Sequence, residues 1–211
     1  MNEYRVYGDM LSGNCYKVAM LLEFMGVPYD WQAVDVLAGF TQSTEFKQIN
    51  ANAKIPVLEV THEESGDKEY LSESNAILNY LAEGSTFLPA SGLPRGRVLQ
   101  WQFFEQYSHE PYIAVARFIK LFLGLPAERK EEFASKQAGG RKALAVMDEQ
   151  LSRTTYLVGE SLTIADISLY AYTHVAADGG FDLTEYPNIL AWIARVEALP
   201  NYLPMRARVA S

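Results

Sequence analysis

The chain has 211 residues, 49 % of them hydrophobic and 21 % charged, which excludes a disordered polymer and suits two small domains better than one core. A net charge of -8 with no basic patch opposes a nucleic-acid backbone as partner. One cysteine, Cys15, excludes an intrachain disulfide and a cysteine metal cluster, and His62, His109 and His174 lack paired ligand spacing, so no metal is expected.

In chain order, residues 4–7 read as a strand, followed by Val18, Leu21, Leu22 and Met25 at helical spacing. Gly26 and Pro28 end that helix, 29–34 alternates as a second strand, and 43–49 reads as a short helix. Residues 56–60 and 69–71 form two more strands around the polar, glycine-containing loop 62–67, and 74–82 is a helix. Proline, glycine and serine cluster in 88–94, which marks a linker. Beyond it every pattern is helical: 96–123 with a kink expected at Pro111, then 127–151, 164–174 and 187–198. Thr163 and Asp166 have capping-box spacing ahead of an apolar run. The start of the chain lacks a basic, apolar leader and no stretch suits a membrane span, so a cytoplasmic location is expected.

Three places carry polar residues where strand gives way to helix or turn. The first is Ser12-Gly13-Asn14-Cys15, at the start of the first helix. Helix capping accounts for Ser12 and Asn14 by themselves. A helix N-terminus also favours a thiolate, and thiol chemistry at such a place commonly uses Cys-x-x-Cys. Here serine stands where the attacking thiol would be, so a thiol nucleophile has to be imported. The second place is Lys54-Ile55-Pro56, where a cis bond before Pro56 would turn the Ile55 backbone outward to pair with a peptide. The third is Glu73-Ser74, where capping competes with a clamp: Ser74 and its N–H for a carboxylate, Glu73 for an ammonium. Together they describe a thiolate pocket, an edge for a short peptide and an α-amino-acid clamp.

Ser12-x-Asn14, Lys54-Ile55-Pro56-Val57-Leu58, Glu73-Ser74-Asn75-Ala76-Ile77 and Leu162-Thr163-Ile164-Ala165-Asp166 resemble the successive signatures of cytosolic glutathione S-transferases, nearest the bacterial members of the theta, phi and nu classes. The resemblance implies an α+β, two-domain fold: a thioredoxin-like βαβ-ββα domain in 1–83, a linker in 84–94 and an all-helical domain in 95–211. It implies that Ser12 or Asn14 orients and activates the glutathione sulfur, with the choice between them open. Ile55 and Pro56 would hold the cysteinyl unit, Glu73 and Ser74 the γ-glutamyl end, and Lys54 the glycyl carboxylate. A second-substrate pocket is expected from Met10, Leu11, Tyr107, Tyr112 and Arg117, the last accepting an anion.

The activity so implied is transfer of the glutathione thiolate to small apolar electrophiles, a detoxification chemistry, with glutathione as cosubstrate and a homodimer as the assembly. Glutathione-dependent reduction of disulfides or peroxides, in the manner of the nu class, and a non-enzymatic regulator are the alternatives. Cys15 sits at the wrong end of the loop for a catalytic cysteine, and His109 beside Glu110 reads as a structural pair.

Overall fold

A computed structural model describes residues 2–207. The chain divides into two compact units, Met1–Glu83 joined by Pro200–Ser211, and Gly84–Leu199.

The first unit is built on four strands: β1 (Glu3–Gly8), β2 (Asp30–Ala33), β3 (Val57–Thr61) and β4 (Lys68–Ser72), in the order β2-β1-β3-β4. β1 runs parallel to β2 and antiparallel to β3, and β3 antiparallel to β4. The parallel pair requires a crossover, supplied by α1 (Gly13–Met25), whereas the antiparallel pair needs only the hairpin at 62–67. Helices α2 (Thr44–Ile49) and α3 (Ser74–Leu81) complete the unit. Mixed sheet and order are those of a thioredoxin-like domain.

α1 is apolar around nearly its whole circumference, and its residues from Cys15 to Leu22 are all buried. A helix of that pattern belongs inside a core; α1 packs on α3 and β1, joining Val6, Leu58, Ile77 and Leu78. Gly26, at φ 63°, closes it in the left-handed region while its N–H reaches back to Leu22 and Glu23. On the opposite face of the sheet, α2 inserts one anchor, Phe46, against Val34 and Val57. Burial of such a ring contributes about 2–3 kcal/mol, so Phe46 holds most of what keeps α2 in place. Ser43 starts α2 by accepting from Phe46 N–H at 3.1 Å.

The segment after Leu199 returns to the first unit, where the buried Tyr16 Oη donates to the Leu203 carbonyl at 2.5 Å. The sequence pattern had placed this segment with the helices, because a chain end without periodicity offers no sign of where it docks.

The second unit contains α4 (Gly92–Phe104), α5 (Glu110–Arg117), α6 (Lys130–Leu151), α7 (Ile164–Thr173) and α8 (Pro187–Glu197). α4 starts inside the expected linker, since Gly92 adopts φ 73° and lets Leu93 and Pro94 enter the first turn. The kink expected at Pro111 takes the form of a π turn at Glu105–His109 just before α5, and a second follows at Phe118–Phe122. A wider turn there accommodates the N–H that Pro111 lacks. α7 is the central helix, with all ten residues buried. Gly139 and Gly140 let α6 approach closely, since a Cβ on either would come within 2.3 Å of the Tyr112 or Phe181 ring. Among the described residues no helix is long and apolar enough to cross a membrane.

Candidate functional site

Register explains why three distant stretches of sequence meet. Tyr7 pairs with Val57, and Val57 with Ser72, so these residues form one row at one end of the sheet. The chain leaves that end from β1 toward Ser12, re-enters it through Ile55-Pro56, and leaves it again from β4 at Glu73. The starts of α1 and α3 and the turn before β3 therefore share one edge of the first unit.

At the start of α1, Ser12 occupies the N-cap position with extended backbone, yet its hydroxyl makes no capping bond. The side chain lies instead toward Cys15, whose thiol it helps to stabilise as an anion. That help is small against burial: desolvation pushes the Cys15 thiol up to about 12. Cys15 is wholly buried and protonated at neutral pH, with its sulfur under Gly8, so it is not a nucleophile.

Asn14 lies in the first turn of α1 and bridges to α3. Its Oδ1 accepts from Ser74 Oγ at 3.2 Å and from Lys17 Nζ at 2.7 Å, and Lys17 Nζ also lies 3.3 Å from Ser74 Oγ. Ser74 and Lys17 are buried, Asn14 half-buried. Lys17 is the member of this cluster that sequence reasoning missed. The available signal was a single charge inside the apolar run Cys15-Tyr16-Lys17-Val18-Ala19.

At the start of α3, Glu73 is exposed, and its carboxylate has no partner among the described residues. Its φ of 69° is a conformation that non-glycine residues adopt at a cost of about 1–3 kcal/mol. It caps nothing. Such an outlier with an idle charge points to a role outside the fold. The first-turn N–H groups of α3 add positive potential beside it.

Ile55–Pro56 is a cis bond. The Ile55 main chain makes no hydrogen bond among the described residues, while its side chain packs against the Phe46 cluster. Lys54 is exposed, and its carbonyl is tied down by Asn50 Nδ2 at 2.7 Å.

The residues named for a second substrate divide. Met10 is buried, and Leu11 is half-buried with its N–H bonded to Asp9 Oδ1 at 2.8 Å. Tyr107 is 87 % exposed, whereas the Tyr112 ring fills the notch at Gly139. Arg117 corrects the expectation that it receives an anion. It is 2 % exposed, with Nε 3.2 Å from Asp178 Oδ2 and its guanidinium over the Phe122 ring, so its charge is spent inside the helical unit. His109 is likewise buried, 2.9 Å from Thr173 Oγ1. Among the described residues, no group of His, Cys, Asp and Glu is placed to hold a metal ion.

A thioredoxin-like unit whose own thiol is sealed, followed by a helical unit, is the architecture of the glutathione S-transferase fold. The family models for the glutathione S-transferase N-terminal and C-terminal domains match residues 2–83 and 112–200. A solved glutathione S-transferase from Pseudomonas fluorescens Pf-5 is 61 % identical, with a TM-score of 0.91 over 96 % of this chain and 98 % of that one. The disulfide-bond oxidoreductase YfcG of Escherichia coli is 29 % identical over 89 % of this chain and 87 % of its own. A glutathione transferase family member from Pseudomonas fluorescens Pf-5, solved with two glutathione molecules bound, is 26 % identical, with a TM-score of 0.83 over 94 % of this chain and 90 % of that one. The chain belongs to the glutathione S-transferase family.

Proposed function

We propose that this protein binds glutathione at the shared edge of the first unit and transfers its thiolate to small apolar electrophiles. The observation that carries the reading is the pairing of a sealed Cys15 with a cluster, Asn14–Ser74–Lys17, that joins the two helix starts beside the idle Glu73. In this reading Glu73 takes the γ-glutamyl ammonium and the N-terminus of α3 with Ser74 its carboxylate. The unbonded main chain of Ile55, ahead of Pro56, receives the cysteinyl unit as an added strand, and Lys54 meets the glycyl carboxylate. The glutathione sulfur then lies at the start of α1, where the Ser12 hydroxyl, the Asn14 amide and the helix terminus favour the anion. A thiol with an ordinary pKa of about 8.5 is mostly protonated at pH 7, so each unit by which the site lowers it raises the attacking population up to tenfold. The second substrate proposed is a small apolar electrophile, and the assembly proposed is a homodimer in the cytoplasm.

A second reading has a specific support. Asn14 is tied by two bonds to Lys17 and Ser74, whereas the Ser12 side chain lies toward the sealed Cys15, and a chain named as a disulfide-bond oxidoreductase aligns over most of this one. Reduction of a disulfide by glutathione through Asn14 is the reaction this would favour. Turnover with glutathione and an aryl halide, beside turnover of a mixed disulfide of glutathione and hydroxyethanethiol, separates the two in wild type, Ser12→Ala and Asn14→Ala. Aryl conjugation that collapses in Ser12→Ala supports the transferase. Dominant disulfide reduction that collapses in Asn14→Ala replaces it with the reductase, and no turnover together with no glutathione binding removes both.

A further inference from the structure

Lys17 is fully buried in α1, and in the proposed site it touches no part of glutathione itself. Its burial is costly. Withdrawing an ammonium from water costs several kcal/mol after relaxation, whereas a methionine would fill the same volume at no such cost. Two of its bonds, to Asn14 Oδ1 and Ser74 Oγ, bear on the proposed glutathione site.

An ammonium only donates, so the branch of the Asn14 amide 2.7 Å from Nζ must be the oxygen. Ser74 Oγ donates to the same oxygen at 3.2 Å, so both lone pairs of Oδ1 face inward. An amide flip would set the Nδ2 hydrogens against the ammonium at that distance, which the charge forbids. Nδ2, with its two donors, is thereby held on the opposite branch. An asparagine without Lys17 has no such constraint, because oxygen and nitrogen ends are nearly isosteric and Ser74 Oγ can donate to one or accept from the other.

We propose that Lys17 is a positioning residue for thiol activation: its buried ammonium holds the Asn14 oxygen inward so that Nδ2 is the face offered to the glutathione sulfur, and it ties that amide to Ser74 at the start of α3. The inference rests on the proposed glutathione site and adds to it how Asn14 is oriented. It also makes the hydroxyl of Ser74 a shared group. Its one proton serves Asn14 or a ligand carboxylate, and Lys17, donating to both side chains, keeps the Asn14 oxygen satisfied when Ser74 turns toward the ligand.

The test titrates the thiolate absorbance of bound glutathione against pH in the full-length wild type, Lys17→Met, Lys17→Gln, Asn14→Ala and the Lys17→Met/Asn14→Ala double variant. In Lys17→Met the midpoint should rise by about one unit, an approximately tenfold loss of thiolate at pH 7, with the affinity for glutathione changed less than about threefold. In the Asn14→Ala background Lys17→Met should add nothing, because the lysine acts through the amide. If Lys17→Met does not fold, Lys17→Gln, which retains a donor without the charge, should shift the midpoint in the same direction by less. A midpoint unmoved in the folded Lys17 variants, or an equal shift with and without Asn14, overturns the proposal while leaving the glutathione site intact. A wild type that does not bind glutathione overturns both.

Discussion

The start of α7 and the starts of α1 and α3 use similar residues to opposite ends. At α7, Asp166 Oδ2 accepts from the N–H and hydroxyl of Thr163 at 2.9 and 3.0 Å, and its Oδ1 accepts from Leu157 N–H and Trp192 Nε1 at 2.8 and 3.1 Å. Every acceptor is consumed by the fold. At α1 and α3, neither Ser12 nor Glu73 caps its helix. Polar residues at a helix start thus mean stability where the backbone consumes them and a candidate ligand site where it does not.

Removing each kind should separate the two. Asp166→Ala orphans four donors in a buried place and should cost about 3–5 kcal/mol by urea denaturation, enough to deplete the folded protein. Ser12→Ala, by contrast, should change stability by less than about 0.5 kcal/mol while lowering turnover about tenfold or more. A Ser12→Ala protein as destabilised as the Asp166 variant would erase the distinction.

Asp166 also carries a pH signature. Burial outweighs its four donors and pushes its carboxyl up to about 6, above the ordinary 3.8. A raised acid binds its proton more tightly in the folded state, so the stability it contributes is present at low pH and is lost as pH rises through about 6. Between pH 8 and 5 the wild type should therefore gain about 1 kcal/mol from this group, seen as a rise in denaturation midpoint that Asp166→Asn lacks.

A smaller effect sharpens the contrast at α3. Glycine accepts the φ of 69° at Glu73 without strain, so Glu73→Gly should stabilise the protein by about 0.5–1 kcal/mol while weakening glutathione binding. Ser43→Ala, at a helix start whose cap is in use, should instead lose about 1 kcal/mol and leave glutathione binding unchanged.

Period and punctuation made the elements legible: the alternation around Val6, the glycine that closes α1 and the Thr163–Asp166 spacing all reappear as β1, Gly26 at φ 63° and a formed capping box. What periodicity hides is partnership across sequence. Arg117 at helical spacing looks the same whether it faces solvent or Asp178, and the π turns at 105–109 and 118–122 alter which residues share a face. Lys17 was hidden for the converse reason, since a charge in a helix reads as a solvated side chain until the burial of its neighbours on every side is known. The return of 200–207 to the first unit rests on a tertiary bond between Tyr16 and Leu203, which no local pattern encodes.

The central claim is that the helix starts left uncapped by their own side chains receive glutathione as a thiolate. Calorimetric titration of glutathione into wild type and Glu73→Gln at pH 7, in two buffers of different ionisation enthalpy, tests it most directly. The account expects binding with proton release in the wild type and affinity at least about tenfold weaker in Glu73→Gln, in keeping with loss of a charge-assisted bond. No binding heat, or binding without proton release that is indifferent to Glu73, would contradict it.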